Sequence, residues 1–200
     1  MNFFSKFFKK SPSDSEKKND QSKFLPKKKA VIEERFVLKF IKNGGKFLYC
    51  ENLNEVQHNF NLILEENEWT NEDILIINSS IKKKFNLNSN FSSSVEESKC
   101  FVTDCENLIA NDGSILISSN QIHEKKLNEY PDNFIILSDT MKLKNSISEG
   151  LSDIKTKNKN LPTNITTIKN FDLIKGDKDF LSYGTSSKNL YLILLEKGLE

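Results

Sequence analysis

Residues 104–113 contain three carboxylates and a predicted tight turn. Glu106 comes soon after the apolar run that ends at Thr103, with Asp104 and Asp112 nearby. Carboxylates gathered in a cleft raise one another's pKa, and one of them can then act as a general base or nucleophile. We therefore take Glu106 as the candidate catalytic residue. The alternative is that Glu106 opens a short helix, where its charge suits the helix dipole.

The turn itself is predicted at Asn111-Asp112-Gly113, between two apolar runs. Glycine adopts the positive φ of a sharp reversal without a Cβ penalty. Free N–H groups in such a turn, with the Ser114 hydroxyl beside them, hold an anionic or carbonyl oxygen. We expect Asn111, Asp112, Gly113 and Ser114 to bind a ligand, with the polar side of the turn facing a pocket. The alternative reading of Asp112 is a simple turn former.

Two further segments carry groups that could bind or titrate. Gly184, Thr185 and Ser186, followed by Lys188, could form an anion-binding loop or an ordinary turn. His123 lies in a polar stretch and is either a surface residue or an imidazole within reach of a site.

The three cysteines Cys50, Cys100 and Cys105 do not have the spacing of metal or cluster ligands. The sequence also lacks GxxxxGK[ST], GxGxxG, GxSxG and HExxH motifs. We expect no metal or cofactor on this chain. The cysteines are predicted to be small buried residues in a reducing compartment, so the predicted location is cytoplasmic.

The charge is divided unevenly along the 200 residues. Residues 1–30 hold nine lysines and three acidic residues, whereas the net charge of the whole chain is only +1. We predict a disordered basic tail over residues 1–29 and one domain over residues 30–200, whose acidic balance argues against nucleic-acid binding. The tail begins with four phenylalanines on one helical face, a pattern that allows peripheral membrane or partner contact: Phe3, Phe4, Phe7 and Phe8.

Amphipathic helical segments alternate with short apolar runs in the predicted domain. Helices are predicted at 30–42, 54–66 and 142–155, strands at 46–50, 73–78, 100–103, 134–137, 164–168 and 190–195, an exposed loop at 86–98 and a polar, loop-like segment at 121–133. This order predicts a layered α/β fold, with a mainly parallel sheet, helices on both faces and an additional β-hairpin near residue 113. In such folds the site lies beyond the carboxyl ends of the strands.

The segment from Thr103 to Ser114 resembles the central motif of the LUD-domain family, which includes the lactate-utilization protein C-like proteins. That motif reads approximately Thr-Gly-Ala-Asp-x-Ala-Ile-Ala-Glu-Thr-Gly-Thr before an apolar strand. Four positions are identical (Thr103, Ile109, Ala110 and Gly113), and Glu106 and Ser114 are chemically close. The segment 161–166, Leu-Pro-Thr-Asn-Ile-Thr, resembles the family's Pro-x-Asn-Ile-Thr run. The family's Glu-Thr is replaced by Asn111-Asp112, and its late Gly-Val-His-Gly-Pro loop by 184–187 without His or Pro.

The resemblance implies a fold similar to CoA transferases, the NagB/RpiA-like class. It also implies an accessory subunit of a lactate-utilization system, in which iron–sulfur oxidoreductase subunits oxidise L-lactate to pyruvate and carry the cluster ligands themselves. Two alternatives stay open. One is a CoA-transferase-like enzyme that uses Glu106, with the 111–114 turn as oxyanion support. The other is a non-catalytic module that binds a small carboxylate or a partner.

Overall fold

A five-stranded parallel sheet forms the centre of the protein. The computed structural model describes residues 31–87, 91–92, 94–158, 160–169, 171 and 188–197. The strands of this sheet are β1 (Lys46–Cys50), β2 (Ile74–Leu75), β3 (Cys100–Thr103), β6 (Asn133–Asp139) and β9 (Asn189–Leu195). Their order is β1-β9-β6-β3-β2, and every neighbouring pair is parallel. The near-continuous apolar runs agree with the burial of β3, β6 and β9.

A second, smaller sheet contains the predicted hairpin. Its strands are β4 (Asn107–Ile109), β5 (Ser114–Ile117), β7 (Leu143–Lys144) and β8 (Thr166–Ile168), in the order β7-β4-β5-β8. Strands β4 and β5 pair antiparallel, as do β5 and β8, while β4 and β7 are parallel. The antiparallel element predicted around residue 113 is therefore confirmed.

Five α-helices are described: α1 (Ile32–Lys42), α2 (Leu53–Glu66), α3 (Ser79–Lys84), α4 (Ser119–Ile122) and α5 (Ile147–Lys157). The amphipathic pattern of α1 buries Phe36, Val37 and Phe40. The N-cap of helix α2 lies two residues earlier than the predicted cap, Asn54, because the side chain of Asn52 accepts the N–H of Glu55.

Helices cover the central sheet, and the α/β class with a mainly parallel sheet is confirmed. One apolar cluster joins Val56 and Phe60 of α2 and Ile81 of α3 to alternate residues of the strands. The intervening strand residues face the opposite way. Among them Phe101 stacks on the Tyr130 ring, with 4.5 Å between ring centroids.

The structure differs from the sequence predictions at several elements. Helix α5 starts at Ile147, since Leu143 belongs to strand β7 and is buried there. Helix α3 was not predicted, because its six residues are too short for a periodic apolar pattern. The loop-like segment 121–133 contains buried side chains as well as polar ones: Gln121, Ile122, Leu127 and Tyr130 are buried. In the 86–98 segment, half-buried Phe91 packs against the core.

The predicted tail, including Phe3, Phe4, Phe7 and Phe8, lies outside the described residues, so its boundary and its contacts stay predictions. Of the helices within the described ranges, none has the length and apolar character needed to cross a bilayer.

Candidate functional site

Charged side chains meet where β3 and β6 end. We call this set the edge cluster: Asp104, Glu106, Asp139, Lys84 and Lys142. Parallel strands place their carboxyl ends along one edge of the sheet, which is why residues distant in sequence meet here. Lys142 Nζ lies 3.0 Å from Asp104 Oδ2, and Lys84 Nζ lies 3.1 Å from Asp139 Oδ2. Two of the three carboxylates are thus paired with a lysine.

Glu106 is held by helix α4 rather than by a cation. The Ser118 hydroxyl donates to Glu106 Oε1 at 2.6 Å, and the Asn120 amide donates to the same oxygen at 2.8 Å. Glu106 Oε2 has no hydrogen-bond partner among the described residues. The alternative that Glu106 opens a helix is wrong, because it directly precedes strand β4 and its N–H bonds to Leu116 O at 2.8 Å. Ser118 and Asn120 therefore fix the position of the Glu106 carboxylate and leave Oε2 without a hydrogen-bond partner among the described residues.

Asp104 is the most constrained carboxylate of the cluster. It accepts from the Gln121 side chain at 3.2 Å and pairs with Lys142, which also donates to the Cys105 carbonyl. Burial lowers the pKa of the Lys142 ammonium, but the Cys105 side chain and the Asp104 carboxylate outweigh it and raise the pKa above its ordinary value. Lys142 therefore stays charged and neutralises Asp104.

All three cysteines are buried and unpaired, as the sequence predicts. Burial raises the pKa of the Cys50 and Cys105 thiols to about 11, and raises that of Cys100 as well. Cys105 Sγ lies 3.4 Å from the Ser138 hydroxyl. A thiol must lose its proton to act as a nucleophile or metal ligand, so these three are poorly suited to either role. The part of the chain that the structure describes contains no group of three or more residues suited to hold a metal ion.

The predicted turn lies at the far end of the hairpin from Glu106. Two of its backbone donors bond to neighbouring carbonyls: Asn111 N–H bonds to Asn145 O at 3.0 Å, and Gly113 N–H bonds to Ile109 O at 2.8 Å. Asp112 Oδ1 accepts both the N–H and the hydroxyl of Ser114, at 3.1 and 2.7 Å. The turn-former reading of Asp112 agrees with this geometry. Ligand binding by residues 111–114 stays a prediction.

Helix α1 covers this turn. Gly113 has a φ of +74°, and a Cβ built there would lie 2.5 Å from the Lys39 carbonyl carbon and the Phe40 nitrogen. The Asn43 amide donates to Asp112 O at 2.8 Å. Our expectation that the polar side of the turn faces a pocket is therefore wrong: it packs against a helix. The turn also lies too far along the hairpin to give oxyanion support at Glu106.

Of the remaining predicted residues, His123 lies within the described ranges and the 184–186 loop does not. Gly184, Thr185 and Ser186 lie outside the described residues, so their role as an anion-binding loop stays a prediction. His123 is exposed and ends α4 with a φ of +51°. No contact joins it to Glu106 within the described ranges.

The sequence analysis missed the groups that position the carboxylates. Ser118 and Gln121 form a capping box at the start of α4, a Ser-x-x-Gln signature that is visible in the sequence. Lys142 gives no such signal, because its approach to Asp104 depends on how β3 and β6 pair.

Comparison with known proteins identifies relatives of this architecture. A family model described as "LUD domain" matches residues 33–195. A crystal structure of a DUF162 family protein from Deinococcus radiodurans superposes with a TM-score of 0.53 at 10% sequence identity, over 82% of this chain and 96% of that chain. At that identity the likeness concerns the fold alone. No curated protein matches the chain.

Proposed function

Because the chain belongs to the LUD-domain family, we propose that it is an accessory subunit of a lactate-utilization system, in which iron–sulfur partner subunits oxidise L-lactate to pyruvate. The observation that carries the proposal is the family match, which spans residues 33–195 and therefore both sheets. In this proposal the redox centres belong to the partners. The buried thiols with raised pKa values support that division, since they are poor cluster ligands.

The charge of the edge cluster favours a partner over a small carboxylate at Glu106. Lys142 and Lys84 are each within 3.1 Å of an aspartate, so their charges are already compensated. Glu106 Oε2 has no hydrogen-bond partner among the described residues, and the negative charge of this carboxylate would repel a carboxylate ligand bound beside it. A basic or hydrogen-bond-donating group of a partner subunit fits the site better. We therefore propose the edge cluster as a partner contact.

Purification of the tagged full-length chain from its native cells tests the proposal. We expect iron–sulfur oxidoreductase subunits to co-purify, and L-lactate-dependent dye reduction to fall when the chain is depleted and to return when it is added back. Glu106→Gln removes the charge but keeps the shape, and we expect about fivefold weaker recovery of the partners. Glu66→Gln, on the exposed end of α2, is the control. Unchanged lactate oxidation after depletion contradicts the proposal.

A second candidate is a CoA-transferase-like enzyme, favoured by the held Glu106 carboxylate with one free oxygen. That oxygen would attack the thioester carbonyl of an acyl-CoA, expel the CoA thiolate and form a mixed anhydride. Attack of the thiolate on the Glu106 carbonyl would then release the carboxylate and leave a Glu106–CoA thioester.

Mass spectrometry of the full chain incubated with acetyl-CoA tests this candidate. An enzyme of this kind gains the mass of CoA minus water, and Glu106→Gln abolishes the gain. No adduct on the unmodified chain rejects transfer through Glu106, whatever partners the chain binds.

A further inference from the structure

The outward side of helix α1 carries apolar residues that the fold leaves exposed. The buried phenylalanines of the helix face the core, whereas Leu38 and Ile41 are exposed by 51% and 49%. Val31, the residue directly before the helix, is also 49% exposed. It lies seven residues before Leu38, and Ile41 lies three residues after Leu38. Residues at these spacings share one side of a helix, so the three form one surface, which we call the α1 face.

Opposite charges lie one turn to either side of Leu38. Glu34 is four residues before it and Lys42 is four residues after it, so the three side chains form one row along the helix. Lys42 is exposed and Glu34 is half-buried. Neither has an ion pair with any described residue. The α1 face is therefore apolar at its centre, with an uncompensated charge of opposite sign toward each end.

This arrangement is complementary to itself. When two copies of α1 cross antiparallel about a two-fold axis at Leu38, Glu34 of each copy lies opposite Lys42 of the other. The two Leu38 side chains then meet at the axis. A row of residues four apart packs into the grooves of a facing helix in the commonest class of helix crossing. A two-fold interface requires such self-complementarity, because the same surface contacts itself. The symmetric placement of the charges about Leu38 therefore favours a second copy of this chain over a different protein.

We infer that the chain forms a dimer through the α1 face, with the two α1 helices antiparallel about Leu38. Removal of the apolar side chains from water supplies the free energy of association, and the two Glu34–Lys42 pairs set the direction and the register of the helices. A contact between two single helices is small, so the association is weak and depends on concentration. The inference does not rest on the lactate-utilization role, since the α1 face contains no residue of the edge cluster.

Sedimentation equilibrium of the purified full-length chain tests the dimer. We expect a monomer–dimer equilibrium within protein concentrations up to about 1 mM. Glu34→Lys and Lys42→Glu each place two like charges opposite one another at both ends of the crossing, and each variant should dimerise about tenfold more weakly or worse. The matched charge reversals Glu66→Lys and Lys83→Glu, at exposed residues outside the α1 face, should leave the dimerisation constant unchanged.

An equimolar mixture of the two α1 variants gives the sharpest test. In a mixed dimer the introduced lysine faces the introduced glutamate, and the remaining Glu34 and Lys42 face each other, so every pair is again of opposite charge. We expect the mixture to associate about as tightly as the unmodified chain, which also shows that both variants are folded. A chain that is monomeric throughout, a dimer that neither variant weakens, or a mixture that associates no better than its components overturns the inference.

A leucine pair tests the apolar centre of the interface. Leu38→Glu places two carboxylates at the two-fold axis, so we expect dimerisation about tenfold weaker or worse. Leu62→Glu on α2 is the matched control, because Leu62 has a similar exposure of 45% and lies outside the α1 face. Circular dichroism checks that both variants keep the helix content of the unmodified chain. Equal dimerisation constants in the two leucine variants overturn the inference.

Discussion

The two ends of the β4–β5 hairpin use neighbouring residues in opposite ways. At the closed end, the 111–113 turn packs against α1, and its backbone groups bond within the protein. At the open end, Glu106 accepts hydrogen bonds through one oxygen, and the other has no partner in the part of the chain that the structure describes. The closed end bonds the N–H groups of Asn111, Gly113 and Ser114 within the protein. The open end leaves Glu106 Oε2 without a hydrogen-bond partner among the described residues, so chemistry is expected at the open end.

The difference shows that the polar residues of a turn can stabilise the fold itself. Asn111, Asp112 and Ser114 are predicted ligand-binding residues, and in the fold they also bond within the protein: Asn111 to Arg35 and Asn145, and Ser114 to Asp112. The family motif therefore contains residues needed for folding as well as candidate functional residues. The predictions below separate the two.

The largest expected effect is at Gly113. Gly113→Ala places a side chain at a φ of +74° and at 2.5 Å from backbone atoms of α1, so we expect a loss of about 3 kcal/mol in the free energy of unfolding. Chemical denaturation measures it. Gly44→Ala is the matched control, because Gly44 also has a positive φ, +92°, but is exposed. Equal losses at the two glycines would show that the helix contact has no effect.

Ser118 is expected to have the next largest effect, at the open end. Its hydroxyl caps α4 by accepting the Asn120 N–H at 3.1 Å, and donates to Glu106 at 2.6 Å. Ser118→Ala should therefore cost about 1–2 kcal/mol in the free energy of unfolding. Ser148→Ala on the exposed surface of α5 is the control. A loss as small as that of the control would mean that Ser118 does not position Glu106.

Substitution of Arg35 tests how much the hydrogen bonds from helix α1 stabilise the closed end of the hairpin. Its guanidinium donates to Asn111 Oδ1 at 3.1 Å and to Asn145 Oδ1 at 2.6 Å. A lysine keeps the charge but cannot reach both acceptors in this fork geometry, so Arg35→Lys should cost about 1 kcal/mol. A double-mutant cycle with Asn145→Ala should give a coupling energy of about 0.5 kcal/mol or more. If the losses in the free energy of unfolding are strictly additive, the Arg35 guanidinium does not bind Asn145 in the way described.

Local patterns predicted the scaffold better than the site. Residue type and spacing predict the buried strands β3, β6 and β9 and the apolar stripe of α1. The reason is that burial imposes a characteristic spacing of apolar residues on each kind of element. The Lys142–Asp104 pair joins residues from different elements, so no local pattern contains it. The packing of α1 on Gly113 is equally non-local, which is why the turn was predicted to face a pocket. Glu106 was found because it follows a strand end, a rule of topology rather than of local sequence.

The smallest expected effect is a pH dependence beside the closed end. Asp153 of α5 lies 3.3 Å from Lys144, whose strand pairs with β4, and 2.7 Å from Lys157. Burial raises the pKa of the Asp153 carboxyl, but the two lysines outweigh it and hold the pKa below the ordinary value of 3.8. The native state therefore binds fewer protons than the unfolded state, so this contribution is complete above about pH 4 and is lost as the pH falls through the lowered pKa.

Asp153→Asn removes that contribution. Because the pair with Lys157 is largely exposed to solvent, we expect a loss of at most about 0.5 kcal/mol at pH 7. The difference from the unmodified chain should shrink progressively as the pH falls below about 4, measured by urea unfolding at pH 7 and at a series of lower pH values, with Glu66→Gln as the control. A difference that stays constant with pH would mean that the ion pairs do not stabilise this end of the hairpin. The stability of this end would then come from the contact of Gly113 with α1 and from the hydrogen bonds of Arg35.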